Sequence, residues 1–300
     1  MNCLVTGGAG FIGSNLVDEL LKRGHEVVCV DDESADSNLE FYWNESASNY
    51  LADINDYGKL LSIFETSKPE VVFHTAAEAR IQPSMEEPQK ACTTNFVGTC
   101  NVLEACRKFG TRRLIYSSTS SAYGFSNSVP FREDMTKDCL TPYSVSKTAG
   151  EELCKVYSNI YRVETITLRY FNVYGERQPI KGHYAPVVGL FLRQARVGKP
   201  MTIIGDGLQT RDFTHVSDVL AANMLASATQ NKRAYGEIFN IGTGKSYSII
   251  ELVDMIKGDF IHVEKRKAEC RDVLADNSKA REILGWEPEI SLSDYLKGEL

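Results

Sequence analysis

Nowhere in the 300 residues do about 18 apolar residues run together, so no stretch reads as a membrane-spanning helix. The opening "MNCLVTGGAG" lacks a charged region followed by a long apolar run, and the expected location is the cytoplasm. Cysteines occur at 3, 29, 92, 100, 106, 139, 154 and 270, but never as Cys-x-x-Cys. That scatter indicates neither a zinc site nor a disulfide framework, and reduced, mostly buried thiols are expected. Positive charge is in deficit too, with a formal net charge of −7 and a pI near 5.4. Such a chain repels nucleic acid at long range, so an anionic ligand must rely on local arginines or helix ends. Internal repeats and low-complexity tracts are absent.

What is present fits a globular α/β protein, with 43% hydrophobic and 24% charged residues. Short β-branched runs, "CLVT", "VVCV", "VVFH", "RLIYSS" and "TITLRY", alternate with helical patterns such as 84–109 and 142–162. That rhythm predicts a doubly wound parallel sheet with helices on both faces. After Tyr170 the texture turns to Gly, Pro and charge, which predicts a smaller second lobe. "GEIFNIG" at 236–242 is expected to return to the main sheet. The larger domain is thus placed at 1–170 plus about 212–242, and the smaller lobe at 171–211 plus 243–300.

"CLVTGGAGFIGSNLVDELLKRG" runs from strand through glycine turn into a helix with Phe11, Ile12, Leu16 and Leu20 at helical spacing. Gly7, Gly10 and Gly13 allow a tight turn and close approach of a pyrophosphate to the helix start. Gly8-x-Gly10-x-x-Gly13 fits the alternative spacing equally well. The second strand, "EVVCVDD", adds Asp31 about 20 residues on, where a carboxylate would hold the adenosine ribose and repel a 2′-phosphate. The cofactor expected is NAD rather than NADP.

"TPYSVSK" at 141–147 reads as a helix start, Thr141 capping and Pro142 at the first turn. Tyr143 and Lys147 then share a face. A phenol of pKa about 10 is a poor base at neutral pH. A positive charge about 4 Å away, at an effective dielectric near 20, would favour its ionised form by roughly 4 kcal/mol. Tyr-x-x-x-Lys alone is commonly a surface pair, but here the preceding strand ends in "SSTSSAYG" and supplies hydroxyls at the sheet's carboxyl edge.

Around these two sites, ordered motifs cover nearly the whole chain. They are "GGAGFIG", "ADI" at 52–54, "HTAAEARIQPSMEEP" at 74–88, "NFVGTCNVLEA" at 95–105, "YSVSK", "LRYFNVYG" at 168–175, "GDGLQTRDFTHVSDV" at 205–219 and "ADNSKAREILGWEP" at 275–288. The chain resembles the extended short-chain dehydrogenase/reductases, specifically their NAD-dependent nucleotide-sugar epimerase/dehydratase family. The resemblance implies a Rossmann-type domain with a smaller α/β substrate-binding lobe. It places Thr119 at the catalytic Ser/Thr, Tyr143 as base and Lys147 as its partner. It puts Asp53 and Ile54 at the adenine and Ala76 and Ala77 along the cofactor, with Phe11, Ile12, Asn95 and Tyr170 among the cofactor-binding positions. For the substrate it implies Asn172 at the sugar nucleotide, Arg211 and Arg266 on the diphosphate, Glu269 on the nucleotide ribose, and Val187, Thr202 and Ile204 around the base. Val273 matches a position that limits the substituent at the sugar's 2-position. The family's Arg-Pro-Gly-Asp/Glu reads Arg266-Lys267-Ala268-Glu269 here.

Within that resemblance, 4,6-dehydratases follow the threonine with Asp-Glu, and "TSEVYG" decarboxylases keep a glutamate where this chain has Ser121. Ser120 and Ser121 offer no acid for an elimination. The implied activity is inversion at C4 of a nucleotide-diphosphate sugar through a 4-keto intermediate, with UDP-glucose/UDP-galactose or an N-acetyl or uronate relative as substrate. Another nucleotide-sugar oxidoreductase or dehydratase of the same family, or a catalytically silent NAD-binding regulator, stands as the alternative. Segments 92–108 and 142–160 carry apolar residues beyond one face, and the family pairs such helices into a four-helix bundle, so a homodimer is expected.

Overall fold

Strands that are apolar on both sides need a helical layer over each face, and that requirement sets the architecture. The computed structural model describes residues 1–35, 40–180, 185–264 and 270–300. β1 (Asn2–Thr6) leads through the glycine turn into α1 (Phe11–Lys22), then β2 (Glu26–Asp31), β3 (Ser48–Leu51), α2 (Tyr57–Ser67) and β4 (Val71–His74). α3 (Ile81–Glu86) and α4 (Pro88–Cys92) precede a π-turn at Thr93–Val97, which runs into α5 (Gly98–Phe109). β5 (Arg113–Thr119), α6 (Pro142–Tyr161) and β6 (Glu164–Tyr170) follow. The chain then makes β7 (Val173–Tyr174), α7 (Val187–Arg196), β8 (Met201–Ile204), β9 (Thr210–Asp212), β10 (Thr214–His215) and α8 (Val216–Ala228). β11 (Glu237–Ile241), β12 (Ser246–Ser248), α9 (Ile249–Ile256), β13 (Phe260–Val263), α10 (Ser278–Leu284) and α11 (Leu292–Glu299) complete it.

Seven strands form one sheet in the order β11-β6-β5-β4-β1-β2-β3, parallel throughout. The winding reverses between β1 and β4, so their carboxyl ends open a crevice there. On one face α1, α8 and α10 bury Leu16, Leu20, Val219, Ala280 and Trp286; on the other α2, α5 and α6 bury Phe64, Leu103 and Cys154. A separate apolar cluster of Phe191, Leu192, Ile203, Leu252 and Leu296 holds α7, β8, α9 and α11 together. Asp212 ties this lobe to the sheet: its carboxylate accepts from the Thr243 N–H at 2.8 Å, the Gly244 N–H at 2.9 Å and the Ala275 N–H at 3.1 Å.

The five strands read from the sequence appear as β1, β2, β4, β5 and β6, and β11 returns beside β6 with Ile241 opposite Tyr170. β3 was not anticipated, because "SNYL" is mostly exposed and carries no alternation. The helical segment 84–109 is divided: Pro88 starts α4, and the π-turn interrupts the α-helix before Gly98. Among the described residues no helix is long and apolar enough to cross a membrane.

Trp286 is fully buried and donates its indole N–H to the Asp218 carbonyl at 2.9 Å. Trp286→Ala is expected to cost about 3–5 kcal/mol. Urea melts should show a lower midpoint with little change in slope.

Candidate active site

Gly7 has φ +67°, and a Cβ there would stand 2.7 Å from the Ala76 nitrogen. At Gly13 a Cβ would meet the Gly7 carbonyl oxygen at 2.0 Å. These two positions therefore allow β1, β4 and α1 to converge. Gly7, Gly10, Phe11, Ile12 and Gly13 line a cavity of about 590 Å³, whereas Gly8 packs against Cys29 behind it. Gly7, Gly10 and Gly13 thus face the cavity together, and Gly8 does not. Gly10 caps α1 without a side-chain hydrogen bond, so the first-turn amides are left for an anion.

Asp31, at the end of β2, is buried and lines the same cavity. Its carboxylate accepts from the Ala9 N–H at 3.0 Å and the Glu33 N–H at 2.8 Å, which leaves acceptor capacity for a ribose hydroxyl. Burial raises its pKa, partly offset by those two amides. Asp53, Ile54, Ala76 and Ala77 also line the cavity. Asp32, unremarked in the sequence, adds a second carboxylate beside Asp31.

α6 begins as its sequence implies, with a capping box between Thr141 and Ser144 and Pro142 in its first turn. Thr119 ends β5, and its hydroxyl accepts from the Ser121 N–H at 3.1 Å. Thr119, Tyr143 and Lys147 all line the cavity, and the Thr119 hydroxyl lies near enough to the Tyr143 phenol to favour its ionised form. The electrostatics differ from the simple pairing expected. Burial pushes the Tyr143 phenol up, opposed only by the Thr119 hydroxyl. Burial likewise pulls Lys147 down to about 7, against Cys154 and Glu151, which favour its charge. The ammonium lies 4.3 Å from the centroid of the Tyr116 ring. In this state Lys147 does not make Tyr143 acidic, because burial of the phenol governs its titration.

Asn95 sits in the π-turn, fully buried, and does not line the cavity. It accepts from the Glu78 N–H at 2.8 Å and donates to the Glu78 carbonyl at 3.0 Å and to Ser146 Oγ at 3.0 Å. It therefore fixes the loop after β4 to α6. Tyr170 lines the cavity and bonds Ser117 Oγ at 3.0 Å and the Asn223 amide.

Asn172, Val187, Arg211 and Val273 reach the cavity. Thr202 and Ile204 do not: they lie on β8 against β13, and the Thr202 hydroxyl accepts from Gln194 Nε2 at 3.1 Å. Arg266 and Glu269 lie outside the described residues. Arg80, Gln82 and Cys270 line the cavity without having been singled out. For the first two, a signal existed: they follow a strand bordering the reversal of winding.

A cradle that any Cβ would fill, uncapped helix amides and a buried acid at the end of β2 together suit a dinucleotide. The model of the NAD-dependent epimerase/dehydratase family matches residues 3–242. A UDP-glucose 4-epimerase of Mycolicibacterium smegmatis is 38% identical over 98% of this chain and 96% of its own length. A UDP-glucuronate 4-epimerase of Thermodesulfobacterium geofontis is 37% identical over 98% of this chain and 93% of its own. The crystal structure of a UDP-glucose 4-epimerase with UDP-glucose from Thermotoga maritima superposes with a TM-score of 0.93 at 37% identity, covering 99% of this chain and 96% of that one.

The buried lysine has a measurable consequence. An unfolded lysine titrates near 10.4, whereas Lys147 does so at about 7. Between those values the unfolded chain binds more protons, so this group makes stability rise with pH. Thermal melts of nucleotide-free protein should gain more between pH 7 and about pH 9 in wild type than in Lys147→Met.

Proposed function

The chain belongs to the NAD-dependent epimerase/dehydratase family, and from that premise we propose that it inverts C4 of a UDP-linked hexose, with UDP-glucose and UDP-galactose as the first pair and N-acetyl or uronate relatives next. NAD is the cofactor, held by the turn at Gly7, Gly10 and Gly13 and by Asp31, and its chemistry when bound is reversible hydride exchange at the sugar carbon. Tyr143 accepts the 4-hydroxyl proton and later returns it, once the keto sugar has turned its other face. Thr119, beside Tyr143 in the cavity, orients the hydroxyl and relays the proton. Lys147 would help hold the bound nucleotide and give the phenolate a cationic neighbour. Ser120 and Ser121 line the cavity without supplying an acid, so loss of water is not served.

The observation that carries this reading is the meeting of Thr119, Tyr143 and Lys147 in one cavity with the glycine turn. Arg211 in the cavity lining supports a role on the diphosphate, and Val187 supports one against the base. Arg266 and Glu269 remain assigned from the resemblance alone. Val273, of intermediate volume, leaves room for substituents at the 2-position, so specificity for the hexose is modest.

A homodimer belongs to the same proposal. The π-turn and α6 present Phe96, Val97, Val145, Val156, Ile160 and Tyr161 to solvent, Ile160 at 67% exposure. Two such faces would close a four-helix bundle across a two-fold axis.

Purified protein should carry NAD and interconvert UDP-glucose and UDP-galactose without added cofactor, followed by product NMR across UDP-, GDP-, CDP- and dTDP-sugars. Turnover of a different nucleotide sugar alone would move the substrate assignment. Tyr143→Phe should lower turnover by at least about 10²–10⁴-fold while NAD stays bound. Light scattering should give a dimer at micromolar concentration, and Ile160→Glu should shift it to monomer.

A further inference from the structure

One buried carboxylate outside the cavity stands on the helix of Lys147 and bonds the residue that precedes Thr119. Glu151 lies one helical turn beyond Lys147 on α6, and its side chain is fully buried. It accepts from Ser118 Oγ at 2.6 Å, from Arg169 Nε at 2.8 Å and from Arg169 Nη2 at 2.7 Å, and pairs with Lys137 Nζ at 3.0 Å. Ser118 is the neighbour of Thr119 on β5, and Arg169 the neighbour of Tyr170 on β6.

We propose that Glu151 is a positioning residue for the reaction, acting through Lys147 on its own helix and through Ser118 on the strand end that presents Thr119. This rests on the reading of Thr119, Tyr143 and Lys147 given above. The geometry supports it in three ways. The fork of Arg169 clamps the carboxylate from β6, with the guanidinium 4.8 Å from the centroid of the Tyr123 ring, so the carboxylate has one orientation. The Ser118 bond ties β5 to α6 at the residue before Thr119. The remaining acidic side chain in the cluster, Glu152, is exposed and held by Lys137, so Glu151 is the carboxylate that Lys147 feels. Among the described residues, the Tyr116 ring lies against Lys147, His74, kept neutral by burial, is near enough to feel its charge, and the Cys154 thiol is pushed up by burial. Burial works against the Glu151 charge, but Arg169, Lys137 and Ser118 outweigh it and hold the carboxyl below its usual range.

The test uses NAD-loaded protein. Glu151→Gln should lower kcat by about 10²-fold with KM changed by less than about threefold. The alkaline limb of its kcat profile should fall at lower pH. Carbon-13 NMR of labelled lysine side chains, with the Lys147 signal identified by its loss in Lys147→Met, should show that signal titrating at lower pH in Glu151→Gln. Glu151→Asp should recover part of kcat. Wild-type kcat and an unmoved Lys147 titration in Glu151→Gln would overturn the proposal. If that variant does not fold, Glu151→Gln combined with Arg169→Met removes both buried charges. A folded pair with low kcat supports the assignment, and one with wild-type kcat overturns it. Should the wild type epimerise no nucleotide sugar, the proposed reaction fails on its own, and the Lys147 titration still decides the role of Glu151.

Discussion

Lys147 holds an ammonium at 2% exposure, and much of the surrounding structure answers the cost of that charge. The Tyr116 ring lies against it, and Glu151 stands one helical turn further along α6. Tyr116 can approach because residue 150 is glycine: a Cβ there would lie 2.3 Å from the phenol oxygen. The Tyr116 hydroxyl then donates to the Lys147 carbonyl at 3.1 Å, fastening strand to helix beneath the catalytic pair. Without nucleotide, these contacts do not repay the lost hydration, and both Lys147 and Tyr143 are pushed toward their neutral forms.

The same logic links the two ends of the cavity. His74 ends β4, and its ring bonds Thr6 Oγ1 at 2.7 Å and Thr99 Oγ1 at 2.9 Å. Thr6 precedes the glycine turn, and Thr99 donates to the Asn95 carbonyl at 2.6 Å. The nucleotide turn and the π-turn thus share one buried polar chain, in which every member has a partner. Asn95 extends it to Glu78 and Ser146, so the loop after β4 is set by the helix that carries Tyr143 and Lys147.

Much of this was legible beforehand where local chemistry dictates structure. Thr141 and Pro142 marked the start of α6 correctly, because a cap and a first-turn proline act within a single turn. Apolar runs gave the strands that are buried on both faces. β3 escaped because an exposed edge strand carries no apolar signature, and the π-turn because its register comes from Asn95 bridging to another segment. The Gly7 and Gly8 alternatives could be separated only by what stands opposite each, Ala76 or Cys29. Thr202 and Ile204 lie outside the cavity lining, on β8, because a resemblance transfers sequence position and not the direction of a strand in the smaller lobe. The neutralising effect of burial on Lys147 was missed for a related reason: spacing reports proximity, not hydration.

The late return of β11 bears on how such a chain comes to be made. Its partner β6 ends at Tyr170, yet residues 237–241 must leave the ribosome before that side of the sheet is closed. Throughout that interval, Ile166 and Leu168 stand on an open, apolar border that invites pairing with a neighbouring nascent chain. The excursion through the smaller lobe thus sets a period of vulnerability during synthesis, and it ends when "EIFNI" docks.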